Sequence, residues 1–150
     1  MSLRRDVIGT WSLIGYDVDF EDGTHQSPYG PSPIGLLHYG ADGFMCIHMM
    51  APDRPLLNCD SNIASGDAAR TALATHVSYA GFYRFDGRTI THTITICTLQ
   101  DMVGLEVPRT VELNGSQLVL RAAEMTFGGK RGSAALIWRR AEASKEGNPI

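Results

Sequence analysis

The sequence predicts an all-β domain: an antiparallel sandwich or barrel of about eight to ten strands with one short helix. Three observations predict it. Turn dipeptides recur at Asp22-Gly23, Asp42-Gly43, Asp86-Gly87 and Asn114-Gly115, and each can supply the positive φ angles that tight hairpins need. The runs between them alternate in polarity or are rich in β-branched and aromatic residues, as strands are. One segment, GDAARTALATHVSYA, departs from this period, with Ala69, Ala72, Leu73, His76, Val77 and Ala80 at three- and four-residue spacing, the signature of one helical face.

Taken in order, the expected strands span residues 9–20, 34–40, 44–50, 79–86, 88–98, 105–114, 116–123 and 131–140, with a short one near 24–28. The helix is expected over 67–78, its N-cap supplied by the Asp67 carboxylate. SPYGPSP and APDRPLLNCDSNIASG are rich in turn formers, and loops of this kind commonly rim a binding mouth. The tail AEASKEGNPI is expected to fray. No repeat, low-complexity tract or linker divides the chain, so residues 1–150 read as a single domain with its core over about 8–140.

A net charge of −3 and the lack of any cluster of Lys or Arg argue against nucleic acid and a polybasic membrane anchor as partners. No run approaches the roughly 20 apolar residues of a membrane-spanning helix. MSLRRDVIGTW lacks the apolar core of a secretory signal, which gives the expectation of a cytoplasmic location. Cys46, Cys59 and Cys97 are odd in number with no C-x-x-C spacing, so they read as reduced thiols, Cys46 and Cys97 as small buried hydrophobes. The five histidines form no metal-binding motif, and neither a phosphate loop, a dinucleotide fingerprint nor an ordered Ser-His-Asp set is present. No cofactor and no metal are expected.

Gly9-Thr10-Trp11, at the root of the first strand, resembles the G-x-W signature of lipocalins. In that family the indole plugs the closed end of an up-and-down barrel, and a basic residue from the last strand packs across it. The resemblance implies that role for Arg139 or Arg140 of ALIWRR, with Arg139 taken as the partner of Trp11. GLLHYGADGFMCIHMMAPDRP, YAGFYRFDG, THTITI, PRTVELNGSQLVLRA and LIWRR, in that order, resemble the microbial lipocalin-like domain family of bacteria and fungi over about Ile8 to Arg140. That likeness implies a calycin-type up-and-down barrel with a central cavity for a small hydrophobic ligand. Some lipocalin-like barrels of natural-product pathways act as cyclases or isomerases, so activity is not inherited from the fold.

Strand periodicity adds candidates of its own. In LEVPRTVELN, Arg109 shares a face with Leu105, Val107, Val111 and Leu113; in RTITHTITIC, His92 shares one with Ile90, Ile94 and Ile96. In FMCIHMM, His48 alternates with Phe44, Cys46 and Met50, but Met45, Ile47 and Met49 are apolar too, so its direction is open. Inside a barrel, apolar faces point inward, and a guanidinium there needs a carboxylate, carbonyls, water or an anionic ligand group. The bland alternatives are an Arg109 satisfied near a barrel end, a neutral His92 bonded to a threonine or tyrosine, and a His76 packed on the helix face. Tyr83 and Tyr39 offer hydroxyls, and Met45, Met49, Met50 and Met102 an adaptable wall.

The expected ligand contacts are therefore Arg109, His92, His48, Tyr83, Tyr39 and Met50, around a small, mostly hydrophobic molecule with a polar or anionic group. A second reading is a cofactor-free isomerase or cyclase in the same cavity, with His92 or His48 moving a proton and Arg109 holding a developing anion. A third is an interaction module whose barrel is filled by its own side chains, such as Phe44, Tyr83 and Ile94. A homodimer is compatible with any of the three.

Overall fold

The structure, a computed structural model, describes residues 3–142; most of the tail expected to fray, 143–150, lies outside the described residues. A one-turn helix, α1 (Leu3–Val7), precedes nine strands: β1 (Gly9–Phe20), β2 (His25–Gln26), β3 (Ile34–Tyr39), β4 (Phe44–Met50), β5 (His76–Phe85), β6 (Thr89–Cys97), β7 (Glu106–Asn114), β8 (Gln117–Phe127) and β9 (Lys130–Arg140). A second helix, α2 (Gly66–Ala74), lies between β4 and β5. The strands pair antiparallel in the order β2-β1-β3-β4-β5-β6-β7-β8-β9, and β1 pairs with β9, from Trp11 opposite Arg140 to Phe20 opposite Gly132. This closes a barrel of eight strands, with β2 as an extra strand on β1.

The hairpins form where the dipeptides place them. Gly43 and Gly115, at φ 92° and 60°, sit in backbone conformations that a β-carbon makes costly. The same logic closes β8 onto β9 through Gly128-Gly129, at φ 56° and 80°, so β8 runs to Phe127 and not to 123 as expected.

α2 corrects the helix expectation at both ends. Its N-cap is Ser65, whose Oγ accepts from the Ala68 amide at 3.2 Å. It stops at Ala74 because His76 and Val77 join the sheet opposite Met50 and Met49, where ladder hydrogen bonds replace helical ones. His76 therefore begins a strand and does not pack on a helix face.

One end of the barrel is plugged. Trp11 is fully buried, donates its indole N–H to the Val7 carbonyl at 2.9 Å and carries the guanidinium of Arg140 4.1 Å from its ring centroid. Arg140 also donates to the carbonyls of Asp6 and Ile8, tying β9 to α1. The plug residue is thus Arg140. Arg139 is one step along a strand whose alternate residues Ala134, Leu136 and Trp138 face inward, so it is exposed to solvent.

Candidate functional site

Depth in the barrel follows strand direction: β5 enters at the open end with His76 and reaches the plug at Tyr83, whose hydroxyl donates to the Gly40 carbonyl at 2.7 Å. Between the plug and the open end lies a cavity of about 680 Å³, in the range of small-molecule sites. Its wall is largely apolar, with Ile47, Met49, Val107, Leu120 and Leu136 among the lining residues. A barrel filled by its own side chains does not describe this interior, and Phe44 points outward, 54% exposed.

α2 sits over the open end, with Arg70, Leu73 and Ala74 at the cavity margin. Arg54 pins it there: Nε donates to Thr75 Oγ1 and Nη2 to the Ala72 carbonyl, each at 3.0 Å. The latter satisfies one of the carbonyls that a helix end leaves unpaired. His76 stands on the same rim, where burial, then the charge of Arg54, lowers its pKa.

Of the expected ligand contacts, Arg109 and His92 line the cavity, as do Met49 and Met102 of the expected methionine wall. Arg109 and His92 are diagonal neighbours on adjacent strands, Ile90 lying opposite Arg109 and His92 opposite Val107, a spacing that long side chains bridge. Arg109 is half-buried; its Nη1 donates to the Pro108 carbonyl at 2.8 Å, and among the described residues it forms no ion pair.

His48 and Met50 do not reach the cavity. Directly paired residues share a face, and β4 pairs Met45, Ile47 and Met49 with Gly81, Tyr79 and Val77 of β5. Tyr79 and Gly81 face inward, so the even-numbered residues of β4 face out and His48 is exposed. Cys46 shares that outer face and is only half-buried, contrary to the expectation for it.

Tyr39 and Tyr83 are buried deeper than the cavity wall, their rings 4.7 Å apart beneath it. With the Tyr83 hydroxyl bonded to the Gly40 carbonyl and that of Tyr39 to His92, neither lines the cavity. Tyr39 acts on it indirectly: its Oη lies 2.7 Å from His92 Nε2, and Tyr79 Oη lies 2.8 Å from Nδ1. Both ring nitrogens of a side chain 1% exposed are thereby engaged.

Tyr16 and Tyr79, not among the expected contacts, also line the cavity. In β1 the register shifts between Leu13 and Gly15, moving the inward set from Trp11 and Leu13 to Tyr16, Val18 and Phe20, so Tyr16 enters the wall against Tyr29. Tyr79 shares the inward face of β5 with Tyr83 and enters because β5 places it nearer the open end. A comparable shift where β5 meets β6 leaves Thr95 unpaired between Ile94 and Ile96. The face expected to run Ile90-His92-Ile94-Ile96 therefore ends at Ile94, and Ile96 is 69% exposed.

The electrostatics follow from burial. His92 is pushed down to about 3 by desolvation, with Arg109 adding to the effect. Burial lifts Tyr16 and Tyr79 to about 12 and Tyr39 well above its ordinary value, with Arg109 opposing each shift. Near neutral pH the imidazole is neutral and the phenols hold their protons, which leaves Arg109 as the formal charge beside His92, with Arg70 and Glu124 at the margin. An imidazole with so low a pKa does not carry the near-neutral titration expected of a general acid or base.

The same shift has a stability consequence. Between about pH 6.5 and about 3 the unfolded chain protonates His92 and the folded one does not. Stability therefore falls with acidification through that window, by up to about 1.4 kcal/mol per pH unit from this residue. Denaturant melts of the wild type and His92→Gln at pH values across the window should show the steeper loss in the wild type; parallel curves would refute the assignment.

A closed meander plugged by a tryptophan, with a half-open apolar cavity above the plug, defines a lipocalin-like container. The family model described as a lipocalin-like domain matches residues 8–141, and the chain belongs to that family. No curated protein matches the sequence. A solved lipocalin-like protein from Bacteroides uniformis ATCC 8492 is similar, at 16% identity and a TM-score of 0.49, with 91% of this chain and 99% of that one covered.

Proposed function

We propose that the protein binds a small, largely apolar molecule carrying one anionic oxygen group, with Arg109 as its counter-charge. The observation that carries this reading is a cation facing an apolar cavity without a carboxylate partner among the described residues. A half-desolvated guanidinium gains more from an anion than from water. The surrounding wall supplies apolar area for the rest of the ligand.

Calorimetric titration with dodecanoate and dodecanol tests the proposal. Dodecanoate binds more tightly, and Arg109→Gln weakens it about 10- to 100-fold, the worth of a charge-assisted contact, while dodecanol changes little. Equal binding of dodecanoate to both proteins would overturn the proposal. Arg109→Gln should melt within about 2 °C of the wild type, since surface-accessible changes of this kind cost about 0.5 kcal/mol.

A further inference from the structure

Two phenols and a neutral imidazole carry three polar hydrogens, yet only two hydrogen bonds join Tyr39, His92 and Tyr79. A neutral imidazole has one donor nitrogen and one acceptor. One tyrosine therefore donates to the ring, and the other accepts from it and keeps a hydroxyl hydrogen that must find a partner elsewhere. Tyr39 is fully buried, and His92 is the one partner of its hydroxyl among the described residues. A stranded hydrogen there would cost about 1–3 kcal/mol. Tyr79 borders the cavity, where water or a ligand can receive it.

We infer that Tyr39 donates to His92 Nε2, that the ring proton sits on Nδ1 and bonds Tyr79, and that Tyr79 turns its hydroxyl hydrogen into the cavity as a fixed donor, forming with Arg109 a subsite for a ligand's carboxylate or carbonyl oxygen. The ligand class rests on the binding reading above; the proton assignment does not. Three residues from three neighbouring strands converge here. His92 on β6 meets Tyr79 from β5 and lies diagonally across from Arg109 on β7. A donor hydrogen and a guanidinium then address the same part of the cavity, a pairing that suits an acceptor oxygen and disfavours an amine or other donor at that spot. Tyr39 is a positioning residue: it touches no ligand, and it sets which way the relay points.

Nitrogen-15 NMR of the histidine rings tests the relay on the protein without ligand. The ring signals that vanish in His92→Gln are those of His92, and its proton should sit on Nδ1; a proton on Nε2 would overturn the inference. For the subsite, Tyr79→Phe should weaken dodecanoate and a long-chain methyl ketone about tenfold. The same variant should leave N-phenylnaphthylamine, which has no oxygen, within about twofold. Unchanged acid and ketone affinities would remove Tyr79 from the subsite while leaving the Arg109 reading to its own variant. Failure of the wild type to bind either acid or ketone would sink the binding reading and the subsite with it, and the ring-proton result would still decide the relay.

Discussion

Replacing Trp11 by alanine is expected to lower the melting temperature by about 10–15 °C. A fully buried tryptophan truncated to alanine costs about 3–5 kcal/mol, and a domain of this size loses about 2–4 °C per kcal/mol. The side chain also joins elements from both ends of the fold: its N–H holds the Val7 carbonyl of α1, and its face holds Arg140 of β9. Trp11→Phe keeps much of the packing and loses the N–H contact, so it should fall between alanine and the wild type. Differential scanning calorimetry checks both, and a shift of less than about 4 °C for alanine would mean that the plug does not hold the barrel shut.

The second large effect is expected at Gly81. A β-carbon there would collide with the backbone carbonyl of Thr93, beside the point where the β5–β6 register shifts. Backbone cannot swing aside as a side chain does, so Gly81→Ala should cost about 3 kcal/mol, the upper end of overpacking, or roughly 6–12 °C. Gly66, the first residue of α2, has open space where its β-carbon would go. Gly66→Ala therefore serves as the control and should be neutral or stabilising by up to about 1 kcal/mol. Matching melts for the two variants would contradict the close approach at Gly81. The strain should also reach the cavity, because the same strand pair sets Tyr79 against His92.

Much of the barrel was legible because its punctuation is local. A dipeptide such as Asn114-Gly115 declares a hairpin through its own backbone chemistry, and the inward Arg109 followed from an unbroken alternation along β7. What was not legible depends on partners elsewhere in the chain. Both faces of β4 are apolar, so His48 and Met50 could be assigned only after β5 fixed which face turns inward. Bulges change the phase of a strand without a distinctive residue, which hid Tyr16 in the wall and turned Ile96 out. The identity of Trp11's cation partner required a one-residue register that ALIWRR alone does not declare. The Tyr39–His92–Tyr79 relay spans 53 residues in sequence between its first two members, beyond any local pattern.

The seam between β1 and β9 has a kinetic corollary. Most barrel neighbours are successive hairpin partners, whereas Trp11 and Arg140 stand at opposite limits of the sheet's sequence. Contacts of such separation give up chain freedom before they compensate for it, and they slow folding. Until the seam zips, β1 and β9 present unpaired ladder edges, the kind of template on which chains aggregate. Refolding yield should therefore drop with protein concentration during that interval, while the closed native barrel stores without comparable loss.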